Sequence, residues 1–151
     1  MNTVRYAFYS GSMAGFAALL SIMTSAKGEG RGMLQPVNAT SHWLHGDSVA
    51  RRATVDMRHT GLGAVTNLAS AMFWALPFAF WASRREPQSL PRLLCGASVV
   101  SAFAALLDYG VLPRRITPGW ELAISKRSVA GAFAAMAIGL AAGAWAAQRQ
   151  R

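Results

Sequence analysis

Residues 128–148, "SVAGAFAAMAIGLAAGAWAAQ", form a run without a single charged side chain. A helix needs about 20 mostly apolar residues to cross a hydrocarbon layer of ~30 Å, and this run supplies them. Gly131, Ala135, Gly139 and Gly143 recur in it every four residues. Positions i and i+4 lie on one helix face, so the four read as a ridge of small residues. Such a ridge admits a second backbone at close range, which is how helices associate when lipid removes the hydrophobic drive. Gly11 and Gly15 repeat the spacing once. The ridge serves either packing within one bundle or assembly of a homo-oligomer.

Three further runs share this character: residues 6–26, 61–83 and 93–107, the last interrupted by Asp108 and then apolar to Pro113. Of the 151 residues 53% are apolar and 14% charged, against roughly 25% charged in soluble domains. That leaves too little polar surface to coat a soluble globule. The expected fold is all-α, one integral membrane domain with four transmembrane helices near 5–26, 61–83, 93–113 and 128–147. Arg5, an apolar stretch and "TSAKG" also match a signal peptide cleaved after Ala26. The length of the run and its Gly and Ser content favour an uncleaved span.

The formal charge of +9 would suggest nucleic acid in a soluble chain. Here the basic residues sit at the ends of apolar runs, where they meet anionic lipid headgroups. The bilayer and its headgroups are therefore the expected partners, and nucleic acid is not. Of the 15 Lys and Arg only Lys27 and Lys126 are lysine, a bias expected of a GC-rich bacterial genome and hence of an inner-membrane protein.

Four spans put both termini on one side, with Arg5, Arg84, Arg85, Arg92, Arg149 and Arg151. The other side carries Lys27, Arg31, Arg51, Arg52, Arg58, Arg114, Arg115, Lys126 and Arg127. The raw count makes the long loops cytoplasmic, whereas charge density in short flanks favours cytoplasmic termini. We adopt the second orientation. The lone Cys95 excludes a disulfide framework and a cysteine metal site, and is expected to be a buried free thiol.

In the second span Gly63, Asn67, Ser70 and Trp74 make one helical stripe. Asn67 is expected to turn inward and hydrogen-bond, at about 0.6 kcal/mol on average. Pro77 removes a backbone donor and is expected to kink the helix, and Trp81, beside Arg84 and Arg85, suits an interfacial anchor. Asp108 is the one acid within an apolar run. Intramembrane carboxylates point to function by default, but Pro113 follows within about two turns, which sets Asp108 near the interface. Arg114, Arg115, Arg58 and His59 are its expected ion-pair partners, and Tyr109 can hydrogen-bond beside it. Structural pairing and proton or ion handling both relieve the burial cost.

The loops on that side hold the rest of the polar chemistry. "LQPVNATSHWLHGD", residues 34–47, brings His42, Trp43, His45 and Asp47, followed by Asp56, Arg58 and His59; the later loop adds Trp120 and Glu121. His42, His45 and His59 with Asp47 have the residue types of a tetrahedral metal site. Gly46 interrupts any helix there, however, and the general-base glutamate of HExxH is missing. No metal or other cofactor is expected. Asn38-Ala39-Thr40 matches a glycosylation acceptor, which is inert in a bacterial chain.

Aligned on proline, "PVNATSHW" (36–43) and "PRRITPGW" (113–120) share Pro, Thr and Trp at equal offsets, and a basic pair follows each. This suggests a two-helix repeat about an axis along the membrane normal. Each copy would run span, Pro turn, short interfacial helix, basic pair, span. Trp43 and Trp120 would be its interfacial anchors, with Thr40 or Ser41 and Thr117 as helix caps.

"NATSHWLHGD", "RHTGLG", "FWAL" and "LPRRITPG" together resemble a family of small bacterial multi-pass membrane proteins, over residues 38 to about 127. The resemblance implies an inner-membrane helical protein, with no activity and no catalytic residues attached to it. Three functions follow from the residues: a non-enzymatic bundle that oligomerises or supports a partner protein, a small transporter or ion pathway through Asp108 and Asn67, or an interfacial enzyme with a histidine base and Arg114 and Arg115 on a phosphate. The first is the expected one.

Overall fold

The computed structural model describes residues 2–150. Met1 and Arg151, one of the charges weighed above, lie outside the described residues. Those residues are helical and contain no strand. The helices are α1 (Asn2–Gly28), α2 (Gln35–Ala39), α3 (His42–His45), α4 (Leu62–Ala82), α5 (Leu90–Gly110) and α6 (Lys126–Arg149). A π turn at Met57–Gly61 leads into α4, and 3-10 turns lie at Asp47–Arg51, Arg114–Ile116 and Trp120–Leu122. The segments Thr3–Gly28, Met57–Ala82, Leu90–Gly110 and Lys126–Arg149 are long and apolar enough to cross a membrane. This is an all-α polytopic membrane architecture.

Two expectations about these elements change. The third span ends at Gly110, short of Pro113, because the residue before a proline is pushed out of helical geometry. The paired Pro-Thr-Trp motifs adopt different structures. Pro36 opens a short α-helix, whereas Pro113 precedes a single 3-10 turn. Pro in the first turn of a helix is tolerated because its missing N–H has no helical partner there.

The chain divides into two compact units, with the boundaries falling inside α1, α4, α5 and α6. The first comprises Met1–Ala18, Leu68–Ala104 and Phe133–Arg151. In it Tyr6, Ser10 and Ala14 form a buried i, i+4 stripe on α1. A Cβ on Gly139 would lie 2.6 Å from the Ala14 Cα, and one on Gly143 would run into the backbone of Ser10 and Tyr9. The two glycines thus seat α6 directly on α1. Gly11 and Gly15 face a different neighbour, α4, at Met72 and Leu68. Ala135 is half-buried.

Gly131 takes no part in this contact. It lies in the other unit, is exposed, and a Cβ there would meet nothing within 4 Å. Four residues turn a helix by about 400°, so each step drifts ~40° and Gly131 stands roughly 120° from the Gly143 face. Polar groups close the first unit: Ser101 Oγ donates to the Phe133 carbonyl (2.5 Å), and Gln88 and Gln148 exchange two bonds of 3.1 and 3.0 Å. Along α4 the buried face holds Ala71, Trp74, Ala75, Phe78 and Ala82. Ser70 is exposed, which removes it from the expected polar stripe. The helix runs uninterrupted through Pro77. Cys95, expected buried, is exposed on α5, on the side away from the buried Leu93, Ala97 and Ala104.

Candidate functional site

The second unit, Leu19–Asn67 with Ala105–Ala132, carries the chemistry-bearing loops. Its centre is "PVNATSH", residues 36–42, every residue of which is buried. Two glycines make room for it. A Cβ on Gly63 would collide with the Val37 carbonyl, and one on Gly119 would lie 2.5 Å from the Ala39 carbonyl. Gly119 also has φ +78°, a left-handed conformation that glycine adopts at no steric cost.

Burying polar residues requires partners for them, and here the partners come from the loops. The Asn38 side chain, 0% exposed, donates to the carbonyls of Arg52 (2.8 Å) and Thr54 (3.1 Å). Its oxygen accepts from the Thr60 hydroxyl at 2.6 Å. Read from the sequence only as part of a glycosylation triplet, Asn38 is instead the hub of the first loop. Thr40 donates to the Pro36 carbonyl and accepts from Trp120 Nε1 at 3.2 Å. Ser41 precedes α3 but makes no capping bond, its hydroxyl donating back to Asn38. Thr117 does not cap a helix either; its one hydroxyl proton is shared between the Arg114 carbonyl at 2.9 Å and Glu121 Oε1 at 2.8 Å.

His42 is buried and held at both ring nitrogens. Nε2 donates to the Thr117 carbonyl at 3.0 Å, and Nδ1 faces the Asp47 carboxylate at 3.2 Å. The first contact requires the proton on Nε2. Both ring nitrogens lie against oxygens of the loops. His45 and His59 form a separate pair, ring centroids 4.7 Å apart. His45 Nε2 donates to the Arg58 carbonyl, and His59 Nδ1 to Asp56 at 2.9 Å. Asp56 also accepts the backbone N–H of His59 (2.7 Å) at the start of the π turn. That bond, with help from the His59 ring and Arg52, holds the Asp56 carboxyl below the usual range. The three histidines therefore do not converge, and among the described residues no three His, Cys, Asp or Glu groups are arranged to hold a metal.

Asp108 is 8% exposed. Its expected ion pairs with Arg114, Arg115, Arg58 and His59 are absent among the described residues. Past Pro113 the chain turns away, leaving Arg114 and Arg115 exposed, with Arg115 Nε donating to the Trp43 carbonyl. Arg58 is exposed and His59 is engaged by Asp56. Asn67 is buried, 5% exposed.

The expected tryptophan anchors differ from one another. Trp43 is 38% exposed, as an anchor requires, while Trp120 is 4% exposed and belongs to the loop core. Trp81, in the first unit, lies against Gly96. One feature of this unit was not foreseen from sequence. Glu29, just past α1, accepts the Ser125 N–H (3.0 Å) and the Ser128 hydroxyl (2.6 Å), while Ser125 Oγ accepts the Ser128 N–H. Ser125 and Glu29 together cap α6 in the manner of a capping box whose acid comes from a distant part of the chain. The hydrogen bonds from Ser128 and then Ser125 lower the Glu29 carboxyl below the usual glutamate range. The local signal was the serine pair in "SKRS", residues 125–128, at N-cap spacing.

Comparison of the chain with protein-family models, with curated proteins and with solved structures gives no match.

Proposed function

We propose that this chain is a small non-enzymatic component of the bacterial inner membrane, with cytoplasmic termini, that acts through its shape and its contacts with lipid and partner protein. The observation that supports the reading is the fate of the loop polar groups. Asn38, Thr40, His42 and Thr117 are consumed in bonds that fold the loops. Enzymatic work needs a base free to reach a substrate proton, and both His42 ring nitrogens lie against oxygens of the loops. Large apolar side chains such as Leu44 (56% exposed) and Met57 (86%) stand outward on the same unit, which suits contact with a partner or the bilayer surface.

A second reading, an ion or proton pathway through Asp108 and Asn67, draws on the burial of both residues and on an aspartate without an ion pair among the described residues. Proteoliposomes loaded with a pH-sensitive dye separate the two. The component reading expects proton and cation flux at the level of empty liposomes. It also expects discrete adducts in intact membranes from a photoreactive residue at Met57. Protein-dependent flux that Asp108→Asn abolishes would overturn it in favour of the pathway, and absence of any discrete adduct would contradict it directly.

A further inference from the structure

The first unit contains a cleft that none of these roles uses. It has a volume of about 470 Å³, lies between α4 and α5, and is walled by Phe78, Trp81, Gly96 and Val99, with Cys95 and Arg92 along its edge. The volume falls within the roughly 300–1,000 Å³ of small-molecule sites. Its shape follows from sequence. Arg92, Gly96 and Val99 fall at i, i+4 and i+7 on one face of α5, and Gly96 lets the Trp81 ring lie directly on the α5 backbone as a wall of the cleft, 2.5 Å from where a Cβ would stand. Of the four apolar helices α5 is the least buried and α6 the most. Val99 (64% exposed) and Cys95 are open to the surroundings.

The cleft is apolar along its length and positive at one end. Arg92 sits in the first turn of α5, where a span meets the headgroup layer. Its guanidinium stands 5.9 Å from the centre of the Trp81 ring, and among the described residues it makes no ion pair. An arginine without a counter-ion, at the polar end of an apolar slot, complements a phosphate that carries a hydrocarbon chain. Basic pockets between transmembrane helices bind anionic headgroups on this principle. We propose that the α4–α5 cleft binds an anionic glycerophospholipid of the host bilayer, its phosphate on Arg92 and one acyl chain along Trp81, Gly96 and Val99. The site rests on the membrane architecture alone and holds whether the protein is a passive component or an ion pathway.

The lone Cys95 provides the reporter. The full chain is placed in nanodiscs of equal phosphatidylglycerol and phosphatidylcholine, and the lipids retained on transfer to detergent are measured by native mass spectrometry. Wild type is expected to retain phosphatidylglycerol about fivefold over phosphatidylcholine, the factor given by ~1 kcal/mol per basic residue at a membrane surface. Arg92→Gln removes the preference, Arg92→Lys keeps most of it, and Arg58→Gln, in the other unit, leaves it intact. Val99→Trp, which fills the cleft from an exposed position, lowers retention of both lipids. Alkylation of Cys95 by an apolar maleimide is slower with phosphatidylglycerol than with phosphatidylcholine alone. This last readout needs no variant and decides the matter should Arg92→Gln fail to fold. Equal retention of both lipids by wild type, a preference that survives Arg92→Gln in folded protein, or a Cys95 rate indifferent to the lipid would each overturn the assignment.

Discussion

The indole Nε1 of Trp120 donates a hydrogen bond to the Thr40 hydroxyl at 3.2 Å, joining residues 80 apart in the chain. Both residues are buried, at 4% and 3% exposure, so neither group can turn to water instead. A double-mutant cycle of Trp120→Phe and Thr40→Val is expected to show a coupling of about 0.5–1.5 kcal/mol in unfolding. Additive single effects would mean that the bond does not fasten the two loops.

The two glycines of α6 separated by burial should respond differently to the same change. Gly143→Leu pushes a side chain into the α1 backbone and is expected to cost about 1–3 kcal/mol or more. Gly131→Leu enters open space and should stay within about 0.5 kcal/mol of wild type. Thermal unfolding in detergent measures both. Equal losses would restore Gly131 to the packing ridge.

Stability should depend on pH through Glu29. Its carboxyl is lowered in the folded chain, so the folded state favours the ionised form. The contribution is fully present above the ordinary glutamate pKa and is lost as pH falls through the lowered value. Glu29→Gln is expected to flatten the acid limb of the stability curve over that interval. An unchanged acid limb would show that Glu29 does not hold the start of α6.

The spans were legible because lipid imposes a simple demand, about 20 apolar residues per crossing, and each apolar run satisfied it, the third by continuing past Asp108. The orientation of side chains around those spans was harder to read. A four-residue repeat marks one face over a turn or two, which is why Gly139 and Gly143 share a neighbour and Gly131 does not. The loops were legible as polar and misread in use. His42 and His45 are three residues apart in sequence, a spacing at which a regular helix would present them together. Gly46, with φ +79°, ends α3 at once, and the burial of His42 against Thr117 is a contact across 75 residues that no local pattern encodes. The Asn38 hub and the Glu29 cap were missed for the same reason, because each bonds elements distant in sequence. Matching Pro, Thr and Trp offsets did not produce matching structures, since Pro36 could enter a helix and Pro113 did not.

That the loop histidine serves the fold rather than a reaction is tested most directly by unfolding His42→Ala and His45→Ala side by side. Loss of His42 strips the buried Thr117 carbonyl of its donor and is expected to cost about 1–3 kcal/mol. His45, half-exposed and bonded to one backbone carbonyl, should change stability by less than about 0.5 kcal/mol. A His42→Ala protein as stable as wild type would contradict the structural role and return that histidine to the list of groups free for chemistry.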